Sequence, residues 1–379
     1  MGFKIIHQWE DYMNLEKRRI LYFDFIKMIS IFLVCFYHGH SLQLNYLEEG
    51  SINVYLNNFL VSFASMGVPL FFIINGSLML RKDLDLKKHI KKTRKVFLLT
   101  ITWIIITLIF TSYIYNNKYQ SLNEIIRDFF SWPPGTLNHI WFLIAIVHIY
   151  ILYPMLKILI SNKNKDIAKY FFIITFIFTF GNSAINSFRH MIEFILNRKI
   201  TDSIIFNYFG RFNIFYETYA YTIVYFSLGI ILVYLMKKES IKKQKISILI
   251  LALFILNGIS LIHSIMVSNI RGNRYDPVWN GYETISTMLM AIVFFIITFK
   301  LEDKLEKANK IITLVGNNTL GIYLIHMLLL FKYKPIFSAT SIGNTIWGNV
   351  IFTIIILSVS LLITLIIKKI PILKKLLEL

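Results

Sequence analysis

"DFIKMISIFLVCFYHGHS", residues 24–41, decides the fold. Apart from Asp24 and Lys27 at one end and His38 and His40 at the other, it is almost wholly apolar. With its preceding residues it has the length a helix needs to cross a hydrocarbon layer roughly 30 Å thick. Blocks of the same kind recur along all 379 residues, at about 22–40, 56–80, 96–115, 140–160, 168–186, 216–236, 246–268, 281–300, 311–331 and 346–367. The chain is 56% hydrophobic and only 16% charged, with mean hydropathy +0.60. A soluble protein could not cover that apolar surface with so few polar groups. The expected fold is therefore all-α: a polytopic integral membrane protein of about ten transmembrane helices.

The net charge of +19 would point to nucleic acid in a soluble protein. Here Lys and Arg sit in short clusters between the apolar blocks, so no nucleic-acid partner is expected. With the N-terminus inside, the inner segments and their borders hold 29 of the 40 basic residues. They include "NLEKRR" (14–19), "RKDLDLKKHIKKTRK" (81–95), "KKESIKKQK" (237–245) and the tail pairs Lys368–Lys369 and Lys374–Lys375. The positive-inside rule then places both termini in the cytoplasm. Three regions follow: a cytoplasmic segment 1–21, a membrane domain 22–367, and a basic cytoplasmic tail 368–379. Residues 3–13, with Phe3, Ile5, Ile6, Trp9 and Met13, have the pattern of a helix lying on the membrane surface. No small-residue cleavage site follows the first block, which reads as a retained helix. The single cysteine, Cys35, excludes an intrachain disulfide.

Polar residues inside such spans carry the functional information. Asp24 and Lys27 are an i, i+3 pair, and eleven residues of helix bring Lys27 and His38 to within about 20° of each other, with a rise of about 16 Å. Asp24, Lys27, Ile31, Cys35 and His38 therefore form one stripe. A charge in mid-span costs several kcal/mol unless it faces protein, a partner or water, so the stripe faces inward. The competing reading makes Asp24–Lys27 an interhelical staple and His38 a hydrogen-bonded core residue. His40 lies on another face and reads as interfacial. "WPPGTLNHIWFL" (132–143) turns the chain into the fourth span with His139 and Trp141 at the threshold, where an aromatic anchor is the plainer role for Trp141. "GVPLFFIINGSLML" (67–80) places Asn75 and Gly76 deep in the second span, where a small residue permits close helix approach. "NNTLGIYLIH" (317–326) puts Tyr323 and His326 in the ninth.

A basic residue, ten residues and a histidine on the first helix; "GVPLFFIINGSLML"; the basic patch after it; "HIWFLIAIVHIYILYP" (139–154); and "NNTLGIYLIH" occur in the order found in the membrane acyltransferase 3 family. The chain resembles these ten-helix enzymes, which O-acylate bacterial surface glycans, from about Arg19 to His326. The resemblance implies a bacterial plasma-membrane protein with no permanently bound cofactor. It implies acetyl-CoA as cytoplasmic acyl donor and a glycan or lipid-linked sugar as acceptor, with membrane lipids around it. The family's Arg-x10-His pair falls on Lys27 and His38, and its Arg-x-x-Arg motif on Lys91 and Arg94. Lysine at 27 and 91 keeps the charge but loses the planar two-pronged donor of arginine. Asn75 stands where the family commonly has serine. A chain ending at Leu379 has the form without an added esterase-like domain.

Moving an acetyl group from a thioester to a hydroxyl needs a base, and imidazole titrates near working pH. His38 is the expected base or transient acyl carrier, with Asp24 and Lys27 holding the donor and Tyr323 or His326 supporting the reacting centre. Lys91, Lys92, Arg94 and Lys95 are the expected contacts of the coenzyme A phosphates; topogenic and headgroup charge explains the same patch. Asn75, His139 and Trp141 are the expected acceptor contacts, and no metal is assigned. The outer segment 187–215, with Arg189, Arg198, Lys199, Asp202 and Arg211, is a further possible glycan contact. The alternatives are a transporter or flippase for a glycan intermediate, a succinyl-type acyltransferase, and a scaffold in which the polar residues are architectural.

Overall fold

The computed structural model describes residues 20–39, 52–80, 82–116, 121–132, 136–161, 165–215, 219–343 and 345–378. His40 and the amphipathic segment 3–13 lie outside them. Among the described residues all regular structure is helical, as the apolar blocks require.

Among the described residues eight helices are long and apolar enough to cross a membrane unaided. Of the fourteen named here, α1 is Leu21–Gly39, and α2 (Ile52–Ser62) continues through a 3-10 turn at Phe63–Met66 into α3 (Gly67–Met79). α4 is Leu86–Asn116, α5 Leu122–Ser131, α6 Trp141–Ser161 and α7 Lys165–Phe176, which runs through a π-helical turn at 177–181 into α8 (Asn182–Ile195). α9 is Tyr221–Leu235, α10 Ile246–Arg271, α11 Ile285–Lys300, α12 Asn309–Gly316, α13 Thr319–Ser338 and α14 Ile346–Lys368.

The differences from the expected spans have physical reasons. α9 has 15 residues, about 22 Å of rise and short of a full bilayer core. It is covered along nearly its whole length by other helices, so lipid does not set its length. The segment Glu302–Gly316, which includes α12, turns 68° from α11. The ninth span therefore begins at Thr319, after the break at Asn317–Asn318, and not at 311. The fifth runs on to Ile195, so Arg189 is a helical residue. α4 starts ten residues before the expected 96 and carries the basic patch as part of the helix.

α5 was not foreseen as an element. Ser121 and Glu124 form a capping box, and Leu122, Ile126 and Phe130 stand exposed on one face, the pattern of a helix resting at an interface. Outward apolar residues on α10, including Leu251, Ile255 and Ile262, mark a lipid-facing side.

α1 lies at the centre, packed by α3, α12, α13 and α14. Its stripe faces inward as expected: Ile31 and Cys35 are fully covered. The tightest crossing joins α3 to α9. A Cβ on Gly76 would stand 1.7 Å from the Phe226 carbonyl oxygen, and one on Gly229 2.2 Å from that of Ile73. Only glycine permits this approach, and Ser77 closes it by donating to the Gly229 carbonyl at 2.9 Å.

Candidate active site

The two ends of α1 carry different chemistry. At the first, Lys27 Nζ meets Asp24 Oδ1 at 3.1 Å, the pair the i, i+3 spacing predicts. α12 presses on Asp24, where Gly316 leaves room for the carboxyl group. α3 runs antiparallel to α1, so its C-terminal end shares this level. There Tyr153 donates to the Met79 carbonyl and Lys157 to that of Leu80, each at 2.9 Å. The start of α4 joins them: His89 Nε2 meets the Tyr150 carbonyl at 2.7 Å, and Lys92 sits 5.0 Å from the Tyr150 ring centre. Lys91, Arg94 and Lys95 are exposed. The four basic residues thus form a charged face at the Lys27 end.

At the other end, α1, α13 and the 3-10 turn Asn138–Ile140 that leads into α6 bring three histidines together. The His38 ring lies 5.7 Å from that of His326, and His326 lies 6.5 Å from His139. His326 Nδ1 bonds to the Tyr323 carbonyl. A carbonyl can only accept, so in the neutral ring Nδ1 carries the proton and Nε2 presents its lone pair. That Nε2 is buried without a hydrogen-bond partner, as are both ring nitrogens of His139. Tyr323 donates its hydroxyl to the His139 carbonyl, which engages it in positioning rather than in proton transfer. Among the described residues no side chains group as the ligands of a metal would.

His38, half-buried, lines a cavity of about 20 Å³ together with Val68, Trp141, Tyr282 and Tyr323, room for about one water. Trp279 and Tyr282 form part of this wall and also part of the wall of a second cavity of about 330 Å³. The larger space carries Asn186, His190, Tyr219, His263 and Glu283, a mixture of aromatic faces and polar groups able to hold a polar small molecule. Trp141 lines the smaller cavity and packs on residues of the larger one, with ring centres 5.3 Å from Tyr219, 5.4 Å from Tyr282 and 5.9 Å from Trp279. Glu283 precedes α11, and burial pushes its carboxyl group up to about 7.

Buried charges hold the wall of the larger cavity. Glu193 takes Arg271 at 2.7 Å and the Ile200 amide at 2.9 Å, and Arg189 donates to the Ser203 carbonyl at 2.9 Å. Asn186 and Asn182 accept from the amides of Phe206 and Tyr208 at 2.8 and 3.0 Å. Arg189 is therefore engaged in pinning the 196–215 segment, whereas Arg198, Lys199, Asp202 and Arg211 are exposed.

His38, His139, Trp141, Tyr323 and His326 thus converge from α1, α13 and the start of α6 with its preceding turn. Lys27 and Asp24 stand about 16 and 21 Å away along α1. Asn75 is not with the histidines: Val68 lines the small cavity, and Asn75 lies seven residues, about 10 Å, further toward the Lys27 end. Its amide donates to the Phe71 carbonyl of its own helix at 2.9 Å. Sequence reasoning did not find Tyr219, Asp276, Trp279, Tyr282, His190 or His263. The aromatic-rich connection "RGNRYDPVWNGYETI" (271–285) was the available signal for three of them, Asp276, Trp279 and Tyr282.

A buried imidazole cluster beside a polar cavity, in a bundle built for lipid, defines a membrane protein with the groups for acyl transfer. Residues 20–369 match the acyltransferase domain of the acyltransferase 3 family, and the chain belongs to that family of membrane acyltransferases. No curated protein and no solved structure matches the chain.

Proposed function

We propose that the protein is a membrane O-acetyltransferase, moving acetyl from cytoplasmic acetyl-CoA to a hydroxyl of a cell-surface glycan or lipid-linked sugar in the bacterial plasma membrane. The observation that carries this reading is the wall shared by the His38 cavity and the larger polar cavity, which sets an imidazole beside a space of sugar size. The acceptor occupies the larger cavity against Tyr219 and Trp279, and its hydroxyl reaches past Tyr282 and Trp141 to His38. His38 takes the hydroxyl proton, the oxygen attacks the thioester carbonyl, and the C–S bond breaks. The products are the O-acetyl ester and coenzyme A, whose thiolate recovers the proton. His38 as transient acyl carrier is the two-step version of the same transfer. Neutral His326, its tautomer fixed by Tyr323, faces the imidazolium that forms.

The exposed face of Lys91, Arg94 and Lys95, with Lys92, receives the phosphates of the donor, and Lys27 and Asp24 guide its arm. Their level at the opposite end of α1 supports an inner-side donor and an outer-side acceptor. The test is His38→Ala, checked for membrane insertion and assayed with radiolabelled acetyl-CoA and surface polysaccharide. Loss of transfer by at least ~100-fold is expected for a missing base; transfer within a few-fold of wild type removes His38 from the chemistry.

A further inference from the structure

Tyr37 and His38 are each tied to a segment that carries a cation. Tyr37 donates to Asp276 Oδ2 at 2.6 Å, and the His38 carbonyl accepts from Lys334 Nζ at 2.8 Å. Arg274, two residues before Asp276, is close enough for its charge to act on both Tyr37 and Lys334. Its side chain is half-buried, and Nε and Nη2 are shielded from water without a hydrogen-bond partner.

Asp276 makes no ion pair with it. One carboxylate oxygen takes the Tyr37 hydroxyl, and the other takes the amides of Val278 at 2.8 Å and Trp279 at 3.1 Å. Arg271, three residues earlier, provides the contrast, with Glu193 at 2.7 Å and the Thr201 carbonyl at 2.6 Å. Two guanidinium nitrogens shielded from water without an anion or carbonyl leave donors to be satisfied. Lys334 adds a second cation whose one protein bond leaves two donors over. The pair sits at helix ends, three residues past Arg271 and four before Ser338, the level at which a lipid-borne phosphate lies in a membrane.

We infer that Arg274 and Lys334 form an anion clamp beside His38 that holds a phosphate group of the acceptor, making the acceptor a phosphate-bearing, carrier-linked sugar. This rests on the acetyltransferase reading for the word acceptor, but not for the clamp itself. The guanidinium fork binds two phosphate oxygens while the ammonium adds a point charge. The neighbouring Trp279 and Tyr282 then lead the sugar into the larger cavity.

The purified full chain is titrated with glucose 1-phosphate, followed by calorimetry and by thermal shift. Binding at least 10-fold weaker in Arg274→Gln and in Lys334→Gln, with part restored in Arg274→Lys, is the expected result. Thermal midpoints without ligand and elution as a single species establish that each variant is folded. Unaltered affinity in both glutamine variants, or no saturable binding by wild type, overturns the clamp. Glucuronate binding as tightly as glucose 1-phosphate overturns its assignment to phosphate. Displacement of glucose 1-phosphate by phosphatidic acid at equal concentration overturns its assignment to the acceptor in favour of a lipid headgroup. His38→Ala separates the two readings: it is expected to bind glucose 1-phosphate as wild type does while transferring no acetyl. If wild type binds the sugar phosphate and transfers nothing, the clamp stands and the enzyme reading falls.

Discussion

His326 offers two atoms with separable roles, and two substitutions divide them. His326→Asn places an amide N–H where Nδ1 bonds the Tyr323 carbonyl and removes Nε2. His326→Gln reaches the Nε2 position and gives up the Nδ1 bond. With ring centres 5.7 Å apart and each nitrogen about 1.1 Å from its centre, the nitrogens come no closer than about 3.5 Å, so a ring shift of a few tenths of an ångström closes a hydrogen bond. When His38 becomes an imidazolium, the lone pair on Nε2 accepts a charge-assisted hydrogen bond, worth ~1.5–3 kcal/mol. That converts to a loss of roughly 10- to 150-fold in turnover for the asparagine variant. The assay is radiolabelled acetyl transfer by membranes with matched protein content, with kcat and KM for acetyl-CoA measured separately across pH 6–9. The loss should fall on kcat, and glutamine should restore part of it if its side-chain oxygen meets His38. An asparagine variant within 3-fold of wild type, or a loss confined to KM, would refute the argument that Nε2 faces the forming charge.

Two further predictions concern packing and pH. Gly76→Ala drives a Cβ into the Phe226 backbone, and overpacking of that kind costs about 1–3 kcal/mol. The thermal midpoint of the purified protein should fall, whereas Gly258→Ala, with nothing within 4 Å of its Cβ, should leave it level or raise it. Glu283 is raised by burial to about 7 from an ordinary 4.5. The folded state therefore holds this proton more tightly than the unfolded one. Its stabilising contribution is complete below pH 4.5 and is lost as pH rises through 7, at up to ~1.4 kcal/mol for each pH unit in that window. Thermal midpoints between pH 5 and 8 should decline less steeply in Glu283→Gln; parallel slopes would show that the carboxyl group titrates normally.

How much of this was legible in the sequence follows from the kind of signal each residue leaves. The stripe on α1 was legible because one helix fixes its own angles: Asp24, Lys27 and His38 are related by residue count alone. The grouping of His38 with His139 and His326 was not, because it depends on how three helices cross, and no spacing encodes that. Gly76 announced a close approach but not its partner, which Gly229 supplies from 153 residues away. The short α9 and the bend between α11 and Glu302–Gly316 escaped a length rule that assumes lipid on all sides. Cover by neighbouring helices relaxes that rule. The wall of the larger cavity escaped for a different reason. Asn182, Asn186 and Glu193 read as ordinary polar residues at a span's end, and their importance lies in backbone amides of the 200–208 segment that only the folded chain brings to them.

The sealed middle of α1 has a consequence for how the proposed reaction proceeds. The stripe is a packed seam, since Ile31 and Cys35 are fully covered, so the charged Lys27 end and the imidazole end are separated by side chains rather than joined by an open groove along that face. A permanently open path between two aqueous sides would leak protons and ions, and a hydrated thioester would meet water before the sugar. On the acetyltransferase reading, the donor arm must therefore part the α1 seam as it enters, and part of its binding free energy goes into that opening. Filling the seam separates entry from chemistry. Cys35→Leu should raise KM for acetyl-CoA while leaving glucose 1-phosphate affinity within 2-fold of wild type, because the clamp at Arg274 lies beyond the seam. A kcat loss with unchanged KM would place the donor's route on another face of α1.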